Sequence, residues 1–222
     1  GLMPTDLLDI KSTLIASRTL VRTFERLNEQ FPLLCEIVSR IPPPSGLIDA
    51  ITRAISDRGE VMDSASPKLG TIRREMRIAH DRLMSRLQRI VSDPKNGPLL
   101  QEALITQRDG RYVIPLRSEF KGRIKSIIHD QSASGATLFV EPITIVEGNN
   151  RYRELLLAER DEERRILSDL SRQVGLQAED MNQTVTTISE LDFAFARSKY
   201  AFDTAATEPV LHLIRGQRSS KH

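Results

Sequence analysis

The sequence holds 222 residues, with 32 Lys+Arg against 30 Asp+Glu for a net charge of +2, 39% hydrophobic and 5% aromatic residues, one Cys and no Trp. That is chain enough for a sizeable aliphatic core, and a lone Cys35 excludes a disulfide-stapled secreted scaffold and a cysteine-rich zinc site. No stretch approaches the roughly eighteen apolar residues of a membrane helix and no signal pattern opens the chain, so a cytoplasmic protein without a membrane partner is expected.

Of the cations, 25 are Arg and 7 are Lys. Arg favours planar, bidentate contacts with phosphate and carboxylate, although an Arg-preferring genome accounts for the bias equally well. Gly1-Leu2-Met3 reads as a tag remnant ahead of an excised segment.

From Thr5 to about Ser39 apolar residues recur at helical spacing, and Pro32 should split the run into two helices. Pro42-Pro43-Pro44 is a hard stop, followed by a short helix from Leu47 to about Ile55. Ser66-Pro67 then has the order of a helix cap and first helical position. Ile72, Met76, Ala79, Leu83, Leu87 and Ile90 continue it as a narrow heptad-like stripe, so a helix of roughly 37 Å is expected to about Val91.

The middle segment changes period. Ala103–Arg108 and Arg111–Arg117 flank Asp109-Gly110, the dipeptide that best signals a hairpin, and Pro115 puts the second strand at an edge or bulge. Arg123–His129 and Ala136–Glu141 form a second expected pair. After Pro142 helical spacing returns and, if continuous, approaches roughly 90 Å, with Gly148 and Gly175 as weak points. Glu159–Arg165 has no apolar residue and is expected to be solvated on most faces. The fold class is therefore mainly α with a small β insert: a helical core, a long antiparallel two-helix arm, and a β-rich tip.

Charge is unevenly distributed. Residues 72–93 carry +3, residues 105–130 again +3, and residues 147–180 carry −3. The two arm helices can neutralise each other, whereas the tip has no obvious internal partner and its excess is open to phosphate. Cations on exposed hairpins also serve solubility and edge protection, which accounts for them as well.

Catalytic chemistry finds little support. His129, Asp130, Ser132 and Ser134 include the residue types of a nucleophilic triad, but neighbours on a strand point to opposite faces, and no nucleophile elbow is present. A tight turn that satisfies its own backbone is favoured. Asp161, Glu162 and Glu163 splay around a helix rather than converging on a metal. No nucleotide-cradling loop occurs, and Tyr112 and Phe139 suit core positions better than base stacking. Catalytic, metal-binding and cofactor-binding residues are thus all expected to be absent.

Several runs are familiar together. Asp63–Pro67, Ile72–Arg77, Arg108–Pro115, the fourteen residues His129–Pro142, and Leu191–Arg197 resemble, in order, the MutSII family, the bacterial MutS branch that lacks the mismatch-recognition domain. The resemblance implies core at 1–66, an outgoing lever helix at 67–99, a clamp at 100–141, a return lever helix at 142–185, and core with a tail at 186–222. Gly70 and Gly148 stand where helix-favouring residues are expected, and Ser126 where Gly is usual.

The resemblance further implies a homodimeric ATPase and endonuclease, using ATP and magnesium, that suppresses recombination by embracing branched DNA and rescues collided ribosomes, with rRNA as a partner. The ATPase and nuclease parts are not among these residues. The expectation for this chain is a lever and clamp that grips nucleic-acid backbone without reading sequence, through Arg108, Arg111, Arg117, Lys121, Arg123 and Lys125. The alternative is a structural coiled-coil arm for transmission or dimerisation, with little affinity of its own.

Overall fold

The structure is a computed structural model that describes residues 1–44 and 46–207. Ser45 and the tail 208–222, the end of the expected second core segment, lie outside the described residues. Among the described residues the chain order is α1 (Pro4–Glu25), α2 (Pro32–Val38), α3 (Leu47–Ala54) and α4 (Pro67–Ser92), then the strands β1 (Thr106–Arg108), β2 (Arg111–Arg117), β3 (Ser126–Gln131) and β4 (Thr137–Pro142), then α5 (Ile143–Leu176) and α6 (Ala178–Asp203). The described chain is thus mostly helical with a small antiparallel sheet. None of its described helices is long and apolar enough to cross a membrane.

The chain forms two compact units. Of the described residues, the first comprises 1–11 and 46–174, and the second 12–44 and 175–207. In the second, Phe24, Val38, Ile41 and Leu191 make a small core, with Leu20, Val21 and Ile188 packed against it. Pro32 starts α2, as its fixed φ and missing N–H require, after α1 has already ended at Glu25.

In the first unit, Ser66 caps α4: its Oγ accepts from the backbone N–H of Lys68 at 3.1 Å and of Leu69 at 3.2 Å. Leu69, Ile72, Leu83, Leu87 and Val91 form the buried stripe of this helix. Its far end shares one core with the sheet, where Leu83, Leu87 and Val91 meet Leu100, Ile114, Leu116, Leu138, Val140 and Ile145. Gly148 sits opposite Leu83, and a Cβ there would lie 3.2 Å from Leu83 Cδ1. A side chain at 148 would be in tight contact with Leu83, which would have to give by a few tenths of an ångström to admit it.

The four strands make one sheet of order β1-β2-β4-β3, rather than two separate hairpin pairs. Asp109 (φ 50°) and Gly110 (φ 75°) turn β1 into β2 in the left-handed conformation of a tight hairpin. Strand β2 is central by order, yet Pro115 lies beyond the end of β1, whose ladder stops at Val113. There the Pro115 carbonyl accepts from the Gln101 N–H at 2.9 Å, so its missing donor interrupts no ladder. Strand β3 starts three residues later than expected, because the turn that follows the 3-10 segment Ser118–Phe120 and Gly122 (φ 86°) runs on through Arg123, whose N–H bonds the Phe120 carbonyl at 3.0 Å.

The return helix is not continuous. It is interrupted at Gln177 (φ −109°, ψ 16°), two residues after Gly175, and α6 begins at Ala178. Gly148, the other expected weak point, lies within α5.

The Glu159–Arg165 run is solvated on most faces, with Arg160, Asp161, Arg164 and Arg165 exposed, but one face departs from that expectation. Glu162 is 2% exposed. It accepts from Ser66 Oγ at 2.8 Å and from Arg165 Nη2 at 2.6 Å, and lies 3.1 Å from Lys68 Nζ. On either side, Arg73 of α4 donates to Glu159, Glu163 and Asp63, each at 2.7 Å, and to the Val61 carbonyl at 2.8 Å. With enough donors a helix face lacking apolar residues can still be buried, since the cost of removing charge from water is then offset. Hydrogen bonds from Arg165, opposed by burial and assisted by Ser66 and Lys68, hold the Glu162 carboxyl down at about 2. Burial works against the charge of Arg73, but its bonds to Asp63 and Glu159 outweigh this and raise its pKa above the ordinary arginine value.

Candidate nucleic-acid interface

The sheet's cations fall into two sets. At the β1–β2 end, Arg108 donates through Nε to Asp130 at 2.8 Å, and its guanidinium lies over the Phe139 ring, 3.8 Å from the centroid. Arg111 donates to Glu141 Oε1 at 2.7 Å and to Asn150 Oδ1 at 2.6 Å. Both guanidiniums are held by the fold, Arg111 against a carboxylate whose side chain is 0% exposed. Arg117, an exposed residue, donates to the Leu100 carbonyl at 3.2 Å and keeps most of its fork open.

The turn and strand entry between β2 and β3 differ. Lys121, Arg123 and Lys125 are exposed, and none forms an ion pair with another described residue. The one acid in the stretch, Glu119, is likewise exposed. Backbone bonds pin the segment: Lys121 N–H to the Ser118 carbonyl, Arg123 N–H to that of Phe120, and Ile143 N–H to that of Lys125, at 3.0 to 3.1 Å. Lys121 and Lys125 rim a groove of about 400 Å³ whose floor includes Leu116, Ile124, Ile128 and Val140. The arrangement is a fixed backbone presenting ammonium and guanidinium groups beside an apolar cleft, with no carboxylate lining it.

The six expected residues are therefore not equivalent. The structure commits Arg108 and Arg111 to carboxylates and leaves Lys121, Arg123 and Lys125 open to solvent, with Arg117 between the two conditions.

The triad-like residues are dispersed in function. Ser132 Oγ accepts from Thr137 N–H at 3.0 Å and lies 3.3 Å from Ser134 Oγ, while Gly135 adopts φ 73°, a turn that satisfies its own backbone. Asp130 pairs with Arg108, not with His129. A register shift between Ile128 and Asp130 bulges β3 at His129, whose Nε2 lies 2.6 Å from Glu141 Oε2.

That contact belongs to a junction invisible in the sequence. Glu141 of β4 is also reached by Asn149 Nδ2 of α5 at 2.7 Å, and Asn149 in turn accepts from the Tyr112 N–H and donates to the Tyr112 carbonyl, both at 3.0 Å. One buried carboxylate thus joins β2, β3, β4 and α5. Beside it His80, Tyr112 and Tyr152 form an aromatic cluster with centroids 5.3 to 5.9 Å apart, His80 Nε2 lying 3.0 Å from Tyr112 Oη. Burial, followed by the neighbouring Tyr112, raises the Tyr152 hydroxyl pKa. The only hint of this junction was compositional, since Glu141 and Asn149 are polar residues in otherwise strand-like and helix-like patterns.

No protein-family model matches the chain. Individual proteins do. The chain is 42% identical over 214 residues to the endonuclease MutS2 of a Geobacillus species, covering 95% of the chain and 27% of that relative. It is 41% identical over 208 residues to the endonuclease MutS2 of Pelotomaculum thermopropionicum, covering 94% of the chain and 26% of the relative. For the endonuclease MutS2 of Thermomicrobium roseum the figures are 42% over 213 residues, 95% and 27%. The chain therefore spans about a quarter of the length of the curated relatives it matches.

Proposed function

From the premise that the chain belongs to the MutS2 family, we propose that it is a lever and clamp segment that grips nucleic-acid backbone without reading base sequence. The observation carrying this reading is the unpaired set Lys121, Arg123 and Lys125, held on a pinned backbone beside the sheet. Exposed cations without internal partners have no carboxylate to give up and gain counterion release when they meet phosphate. Arg117 adds a partly open guanidinium, whereas Arg108 and Arg111 contribute through the fold. The residues that act on phosphate are then four of the original six.

On this reading the working partners are branched DNA, collided ribosomes or both, since backbone contacts serve either. The complete protein acts as a homodimer whose second clamp multiplies affinity. Nuclease and ATPase chemistry belong to other parts of such proteins. This chain's sequence has no Gly-rich phosphate loop.

The test is a salt titration of duplex binding by the chain and by its Lys121→Gln/Arg123→Gln/Lys125→Gln variant. The slope of log K against log salt should fall by about 0.9 for each cation that meets a phosphate. An unchanged slope would reject the reading. A second reading, a transmission element, draws on the two polar junctions around Glu141 and Glu162, which couple α5 to the sheet and to α4. It predicts unchanged nucleic-acid affinity in the same variant.

A further inference from the structure

The excess positive charge of α4, seven cations against two acids, has an obvious explanation in the acidic helix beside it, and the ion pairs do not bear it out. Only two α4 cations reach α5 acids: Lys68 meets Glu162, and Arg73 meets Glu159 and Glu163. Other acids of α5 are held by its own arginines, Glu154 by Arg151 at 3.6 Å, Asp161 by Arg164 at 3.6 Å and Asp169 by Arg172 at 2.6 Å. Arg151 even reaches back to α4, meeting Glu75 at 2.6 Å. The helices satisfy each other at the start of α4 and leave the rest of its arginines over.

Arg74, Arg77, Arg82, Arg86 and Arg89 are exposed and form no ion pair with any described residue. The acids remaining nearby are Asp81, which lies 3.7 Å from His80 Nδ1, and Glu147. Arg82, Arg86 and Arg89 follow one another at spacings of four and three, so they share a helix face over about 10 Å of its axis. Arg82 and Arg86 line a groove of about 460 Å³ with Arg151 and two acids, Glu147 and the Arg151-paired Glu75, alongside Ile78, Ala79 and Leu83. The groove runs along the Gly148 position where α5 approaches Leu83. Arg89 lies with Ser85, Gln88 and Ser92 in the next depression, which contains hydrogen-bonding groups and no carboxylate.

We infer that this arginine row is a second phosphate-binding surface, on the helix rather than on the sheet, which takes the backbone of a duplex nucleic acid. Guanidiniums on successive helical turns suit an anion that repeats along a line, and the neutral polar groups around Arg89 add donors for phosphate oxygens. The inference rests on the nucleic-acid reading given above and extends the interface from the sheet onto α4.

The experiment compares the 222-residue chain with two variants, Arg82→Gln/Arg86→Gln/Arg89→Gln and Lys121→Gln/Arg123→Gln/Lys125→Gln, binding a DNA duplex, an RNA duplex and poly-glutamate across a salt series. The α4 variant should lose about 0.9 in slope per arginine, about 2.7 in all, on one or both duplexes, with unchanged thermal unfolding. Replacing the same three residues by Lys should restore most of the slope. Wild-type slope and affinity in the α4 variant, with loss only in the sheet variant, would overturn the helix surface and leave the sheet reading intact. A wild-type chain that binds neither duplex, or two variants that both bind like wild type, would overturn both. Loss of poly-glutamate binding alone would identify an acidic protein surface as the occupant and likewise defeat the inference.

Discussion

Arg111 and Lys125 lie in the same sheet region, and the fold treats them in opposite ways. Arg111 is spent on a buried carboxylate and an amide, within a junction that also holds His129 and Asn149. Lys125 gives the fold only its backbone carbonyl, and its ammonium stays in water. The contrast separates cations that hold the structure from cations available to a ligand, a division that net charge cannot make. A guanidinium donates five hydrogens in a fixed fork and can serve several acceptors at once, which suits Arg111 and Arg73 to polar junctions. Exposed lysines on a short turn are poor at that task and well suited to a mobile anion.

The sharpest way to break this division is to remove the acceptor at its structural end. Glu141→Ala leaves Arg111, His129 and Asn149 without their shared partner, and should cost about 3–5 kcal/mol in urea unfolding. Duplex affinity measured under folding conditions should change little, because Arg111 is not counted among the phosphate contacts.

Glu162→Gln probes the other junction and should cost about 1–3 kcal/mol at neutral pH. Here pH adds a second reading. The Glu162 carboxyl is held at about 2 against an ordinary 4.5, so its stabilisation is fully present above about pH 4.5 and disappears as pH falls towards 2. Acid unfolding of the wild type should steepen across that window, and the Gln variant should show a shallower fall there.

Arg108→Gln, which loses the Asp130 bond and the cation–π contact with Phe139, should cost about 1 kcal/mol by thermal unfolding. Smallest on the stability scale is Lys121→Gln/Arg123→Gln/Lys125→Gln, with changes within about 0.5 kcal/mol per site. If that variant unfolds early, those cations are structural and the division collapses.

Much of the architecture was legible locally. The Ser66-Pro67 start, the Asp109-Gly110 turn and the start of α2 at Pro32 each act through the residue's own backbone or its immediate neighbours, so these points read correctly without knowledge of the fold. The exchange from helical spacing to strands and back was equally clear. Element ends were less so: β3 begins late because Arg123, strand-like in composition, is held in the preceding turn by its N–H bond to the Phe120 carbonyl. For the interface, local reading gathered the right kind of residue and could not sort it, since Arg108, Arg111, Lys121 and Lys125 differ only in what lies across from them.

The amino-acid sequence by itself thus determined the mostly helical class, the small β insertion, the main caps and turns, and the resemblance to MutS2 proteins. Tertiary structure alone decided that β2 pairs with β4, that Gly148 receives Leu83, that Glu141 and Glu162 are buried, and which arginines remain free. The reason is range. Caps and turns are satisfied within a few residues, whereas Ser66 meets Glu162 across 96 positions and Arg73 meets Glu163 across 90. A charge is spent or available according to such distant neighbours, and only the folded chain brings them within hydrogen-bonding distance.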